Sequence, residues 1–188
     1  MMGRAVVVLM LAGVLASCAE VPVRSIIPFE LVGREHLYDK TAWSFSGRLA
    51  LSGVKDAISA SISWRHQADQ DEIELAGPFG QGRTLLVITN DSVVIDYGDQ
   101  RLQHNGNVDE FISRHTGIEV PVSALKYWVL GLIEPNRQYV GFENGFLQSG
   151  WNVSYLQMQP VESDWLPRKI RVQKSEVKLK LIISQWEL

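Results

Sequence analysis

The feature that most constrains this chain is strict alternation of apolar and polar residues, sustained through one segment after another. Over residues 43–51, Trp43, Phe45, Leu49 and Leu51 share one parity, while Ser44, Ser46, Arg48 and Ala50 share the other. Gly47 falls on the apolar parity. Over residues 58–65, Ile58, Ala60, Ile62 and Trp64 alternate with Ser59, Ser61, Ser63 and Arg65. Side chains on a strand point to opposite faces in turn, so period two means strands with one apolar and one wetted face. Shorter strands are expected over residues 72–76, 84–89, 92–97 and 100–103, with Asn90-Asp91 and Gly98-Asp99 as turns. The same parity returns late in the chain. Residues 138–143 and 146–148 flank Asn144-Gly145, a strong hairpin signal. Trp151, Val153 and Tyr155 alternate, as do Ile170 and Val172, and Val177, Leu179, Leu181 and Ile183.

Helical spacing interrupts this pattern in three places. Residues 29–40 predict a helix opened by Pro28, with Phe29, Val32 and His36 on one face. Residues 108–115 place Val108, Phe111, Ile112 and His115 at helical spacing, and Gly117 is a stop signal. Residues 122–130 predict a second short helix between Pro121 and Gly131. The fold expected is mainly β with some α. A single sheet whose strands all carry one apolar face must curl or be covered. That gives an incomplete antiparallel β-barrel with an α-helical lid enclosing an apolar cavity.

The amino terminus reads as a leader, set apart from the fold. Met1 to Arg4 is a short positive region, followed by an apolar run from Ala5 to Ala16. That run suits a secretory signal and is short for a membrane span. Leu15-Ala16-Ser17-Cys18 resembles the lipobox of bacterial lipoproteins, in which cleavage precedes a cysteine that receives lipid. Cys18 is the only cysteine, so it has no internal disulfide partner. The other reading is an ordinary signal peptide with a stray cysteine. The expected division is a leader over residues 1–17, a lipidated tether over 18–27 and one domain over 28–188. Ala19 stands where Asp would mark inner-membrane retention, which resembles an outer-membrane address.

Several function classes find no support. The formal charge of -3 offers no global basic field for nucleic acid. None of His36, His66, His104 and His115 has a second His or Cys at metal-ligand spacing. The glycine-rich stretch from Gly77 to Gly82 lacks the Lys-Ser/Thr ending of a phosphate loop. Ser149 does not sit in a nucleophile elbow, and Asp69, Asp71 and Glu72 read as solvated turn acids. No enzyme, metal or cofactor is expected, and the chain is expected to be a monomer.

Two surface features are open to two readings each. In Gly77-Pro78-Phe79-Gly80, an aromatic residue stands at a turn between strands. Either Phe79 folds back onto the core, or it is an apolar tip that meets lipid. Arg171, Lys178 and Lys180 carry the polar parity of their strands within a run of cations. Either they form a solvated face, or they dock an acidic partner or lipid headgroups.

Taken together, these residues resemble the LolB family. The resemblance rests on Trp43 with Gly47-Arg48-Leu49-Ala50, then Trp64, then Gly77-Pro78-Phe79-Gly80. It continues through Gly117, Pro121, Leu125 and Tyr127-Trp128-Val129-Leu130-Gly131 to Gly150-Trp151, Leu166-Pro167 and the strand ending at Trp186. It implies a membrane-anchored receptor that takes lipoproteins from a periplasmic LolA-like carrier and binds their acyl chains. It further implies a membrane-insertion loop with Phe79 at its tip, where the family usually has leucine. Phe111, Ile112, Leu125 and Trp128 become candidate lid or cavity residues. A different class of function is an envelope-assembly lipoprotein that binds a protein partner through its sheet. The two diverge on whether the interior holds a continuous apolar cavity.

Overall fold

The computed structural model describes residues 28–53, 57–80, 82–117 and 119–188. The leader, Cys18 and the tether lie outside them. The first half of the chain forms β1 (Ala42–Ser52), β2 (Ile58–Gln67), β3 (Gln70–Ala76), β4 (Thr84–Ile88), β5 (Ser92–Asp96) and β6 (Arg101–Asn105). Two helices follow, α1 (Val108–Thr116) and α2 (Val122–Trp128). The second half forms β7 (Tyr139–Phe142), β8 (Gly145–Gln148), β9 (Trp151–Val161), β10 (Asp164–Lys174) and β11 (Val177–Glu187).

All of these strands join one antiparallel sheet in the order β6-β5-β4-β3-β2-β1-β11-β10-β9-β8-β7. Two meanders are therefore fused where the first strand pairs with the last. The pairing of β1 with β11 brings Gly47 so close to its neighbour that a Cβ there would lie 2.3 Å from the Ile182 carbonyl oxygen. Register slips by one residue at this point, between Ser46 and Gly47. Such a bulge bends and twists a sheet, and glycine is the residue that lets the two backbones approach. The terminal strands β6 and β7 stay unpaired with each other, so the barrel is incomplete. The chain must pass from one edge to the other between them, and α1 and α2 make that crossing over the inner face.

The alternating parity sorts as expected. Trp43, Phe45, Leu49 and Leu51 of β1 are buried, and so are Leu179, Leu181 and Ile183 of β11. At one end the inner face gathers Trp43, Phe45, Trp64 and Trp186, with ring centroids 5.1–6.2 Å apart in the pairs that meet. Rings at these spacings add attraction beyond their buried area.

The helix expected over residues 29–40 is corrected. Only a 3-10 turn, Glu35–Asp39, forms there. Gly33 adopts φ +84°, a left-handed conformation that stops a helix. Val32 is consequently 84% exposed, while Phe29 and Leu37 are buried on separate parts of the core. His36 turns outward to bond Asp164 at 2.6 Å.

Candidate functional site

The site is built where the two helices cover the inner face. In α1, Asn107 caps the first turn by accepting a bond from the Glu110 amide at 3.1 Å. Gly117 closes the helix, and helical spacing turns Phe111 and Ile112 inward. Phe111 lies between two imidazoles. The ring of His104 on β6 is parallel to it at 4.7 Å, and His115 lies 4.1 Å away. The Tyr97 hydroxyl donates to the His115 carbonyl at 3.3 Å. Within the lid, the Ser123 amide of α2 donates to Asp109 of α1 at 3.1 Å.

The carboxyl end of α2 is held differently. Leu125 and Trp128 are buried. The Trp128 indole N–H donates to Gln148 Oε1 at 2.9 Å, and the same oxygen accepts the Glu134 amide at 2.8 Å. Gln148 Nε2 donates back to the Glu134 carbonyl at 3.0 Å. The Tyr155 hydroxyl donates to the Trp128 carbonyl at 2.8 Å. Complete burial holds the Tyr155 phenol well above its ordinary pKa. Arg34 reaches in from the amino-terminal segment and donates to the carbonyls of Leu130 at 2.5 Å and Trp165 at 2.9 Å. Its Nε is buried without a partner, and burial lowers its pKa. The guanidinium also stands 5.6 Å from the centre of the Phe29 ring, which itself stacks on Tyr155 at 4.0 Å.

The expected lid residues are thus brought together, because Phe111, Ile112, Leu125 and Trp128 all belong to one core. Cavities lie around the sheet and the lid. One of about 260 Å³ adjoins the end of α2, lined by Leu37, Trp43, His66, Lys126, Tyr127 and Leu130 among others.

The remaining predicted residues lie apart from the lid. Gly77 to Gly80 connect β3 to β4, and Pro78–Gly80 form one 3-10 turn closed by a 3.0 Å bond from the Gly80 amide to the Gly77 carbonyl. That turn includes the Phe79 backbone. Arg171, Lys178 and Lys180 are exposed on the outer face, with Arg171 directly opposite Lys180.

Asp71 corrects the reading of solvated turn acids. It is buried, accepting from the Trp64 indole at 2.8 Å and bonding His66 at 2.9 Å. Its signal was available, since Asp71 shares the inner parity of Ile73 on β3. Gln148, Tyr155 and Arg34 are the other residues the sequence reading did not single out. Gln148 and Tyr155 have the inner parity of their strands, whereas nothing local marks Arg34. Among the described residues there is no cluster of three metal-type ligands and no helix long and apolar enough to cross a membrane.

A family model described as outer membrane lipoprotein LolB matches residues 41–186. An outer-membrane lipoprotein LolB from Chromohalobacter salexigens is 32% identical over 160 residues, covering 82% of this chain and 74% of that one. Another from Thiobacillus denitrificans is 28% identical over 194 aligned residues, covering 99% and 98%. Among solved structures, a DUF1329 family protein from Desulfovibrio piger aligns with a TM-score of 0.53 at 6% identity, over 82% of this chain and 88% of that one. This last likeness concerns the fold alone.

Proposed function

The chain belongs to the outer membrane lipoprotein LolB family, and from that premise we propose that it accepts lipoproteins from a LolA-type periplasmic carrier, shelters their acyl chains against its inner sheet face and releases them into the outer membrane. It is a trafficking protein and not an enzyme. The observation that carries the acyl-binding reading is the lid. Two helices bridge the open sheet, and their inward side chains, Phe111, Ile112, Leu125 and Trp128, are apolar. Burying each acyl methylene contributes about 0.8 kcal/mol. Transfer then runs downhill if this site is deeper than the carrier's and shallower than the bilayer, with no covalent step. The inward lid side chains belong to the buried core, so uptake requires them to give way to the acyl chains.

Cys18 is the proposed anchor, and its lipid keeps a monomeric receptor domain beside the receiving bilayer. Phe79 is the proposed apolar tip that meets that bilayer. Incubating purified, cargo-loaded carrier with this protein in detergent-free buffer should move the cargo onto it. Cargo that stays on the carrier, with the receptor folded by circular dichroism, removes the reading. Phe79→Glu should leave that first transfer intact and slow delivery to vesicles at least tenfold. Delivery at the wild-type rate would remove the role of Phe79.

The exposed edge strand β7 favours a second reading, an assembly lipoprotein that binds a protein through its sheet. A photoreactive acyl chain on the cargo separates the two. It should crosslink to α1 or α2 under the first reading and leave both helices unlabelled under the second.

A further inference from the structure

The outer face of the sheet is not uniform. Over β1 and β2 it carries Ser44, Ser46, Arg48, Ser59, Ser61 and Ser63, with Arg65 beyond. The acids of β3 are matched, Glu72 with Arg65 at 3.3 Å and Glu74 with Arg83 at 2.7 Å. Across the carboxyl-terminal half the pattern changes, and strand register resolves it into two rows. One row runs Ala50, Lys180, Arg171, Ser154, Gly145 and Phe142 from β1 to the β7 edge. The next runs Ser52, Lys178, Gln173, Asn152, Leu147 and Val140.

Both rows are therefore cationic in the middle, polar at β9 and apolar at the edge. Val140 is 66% exposed, with Phe142 and Leu147 also exposed. Neither row contains an acid. Glu143 and Glu176 lie in the turns at the strand ends. Arg171, Lys178 and Lys180 form no ion pair among the described residues. Arg171 faces Lys180 directly, an arrangement that destabilises a sheet unless an external anion relieves it.

We propose that this outer face is a membrane-contact surface, with Arg171, Lys178 and Lys180 meeting anionic phospholipid headgroups and the β7–β8 edge entering the interface. The arrangement inverts that of a protein–protein contact, whose centre is depleted of charge and whose rim is polar. A bilayer surface supplies phosphates to the cations and, slightly deeper, apolar surroundings to the valine, leucine and phenylalanine. The proposal does not use the inner face, so cargo transfer between soluble partners tests the acyl-binding reading separately.

The test uses the full lipid-anchored protein carrying Val140→Cys, labelled with an environment-sensitive fluorophore and reconstituted in vesicles. The unsubstituted chain, labelled in parallel, supplies the background from Cys18. In phosphatidylcholine containing phosphatidylglycerol, emission should shift to the blue and rise severalfold, and nitroxide lipids should quench it. High salt or Lys178→Glu with Lys180→Glu should abolish the shift, since screening and charge reversal both remove headgroup attraction. Near-ultraviolet circular dichroism checks that the double variant is folded. A label that stays water-like on anionic vesicles overturns the proposal. So does a shift unchanged in the double variant, or one seen only when loaded carrier is added, which gives the face to a protein partner.

Discussion

The two helices of the lid close the same face by different means. α2 ends in a buried polar knot, in which Gln148, Tyr155 and Arg34 satisfy the Trp128 indole and the backbone around Leu130 and Glu134. The buried side of α1 is held by rings and aliphatic groups, with Phe111 between His104 and His115 and Ile112 beneath, and its polar contacts, Asp109 with Ser123 and the Tyr97 hydroxyl with the His115 carbonyl, are exposed. Buried polar contacts are directional, and losing one partner strands the other. Apolar contacts are non-directional, and one hydrocarbon can replace another. On the proposed acyl-binding reading, an acyl chain can therefore substitute for the apolar contacts of α1, but it offers nothing to the buried polar contacts of α2. Under the proposed acyl-binding function, the comparison predicts movement at α1 about a fixed α2.

The largest effect should come from breaking the knot. Gln148→Leu keeps the side-chain volume but strands the Trp128 and Glu134 N–H groups and the Glu134 carbonyl. At about 1–3 kcal/mol for each buried group left without a partner, partly relieved by water, a total loss of about 4 kcal/mol is expected. In a domain of this size that lowers the melting temperature by about 10 °C, measurable by calorimetry. A change under about 1 kcal/mol would show that the knot is ornamental and that α2 is as free as α1.

A smaller and more local effect is expected at α1. Phe111→Ala removes the ring between the two imidazoles and should cost about 2–3 kcal/mol, less than a central core phenylalanine because the site lies at the lid's rim. The loss should appear as local opening. Hydrogen exchange of the α1 amides should speed about a hundredfold, while the β9–β11 amides stay protected. If the sheet amides accelerate equally, the lid is no separate unit and the contrast with α2 fails. Uptake of cargo from the carrier should quicken, because opening is already partly achieved.

How much of this was legible in the sequence follows the same division. Period two marked the strands, since each residue's face is set locally. Helical spacing marked α1 and α2 and turned Phe111, Ile112, Leu125 and Trp128 inward for the same reason. The polar knot was not legible, because Arg34 meets Leu130 across 96 positions and Tyr155 meets Trp128 across 27. Contacts at that range depend on how the sheet curls. The extended first helix failed on a local cause that was visible, Gly33, and Asp71 failed because its composition was weighed above its parity. The interior beneath the lid had no sequence signal at all, since apolar residues lining a cavity and apolar residues filling one read alike.

The smallest effect is the most diagnostic of the α2 knot, because it carries a pH signature. Tyr155→Phe keeps the stack on Phe29 and removes only the hydroxyl. The Trp128 carbonyl retains the Gly131 amide at 3.0 Å, so the loss near neutral pH should be about 1 kcal/mol. Burial raises the Tyr155 pKa in the folded chain, whereas the unfolded phenol titrates near its ordinary 10.0. The unfolded state therefore sheds its proton first as pH rises. The neutral hydroxyl's contribution is complete below pH 10.0 and declines above it. Denaturant titrations should show wild type and Tyr155→Phe separated at neutral pH and drawing together in alkali. Tyr38 and Tyr97, also raised by burial, keep part of the alkaline slope in both proteins. Parallel curves across that range would mean that the phenol is hydrated and that the knot is open to water. The distinction between a fixed α2 and a displaceable α1 would then lose its physical basis.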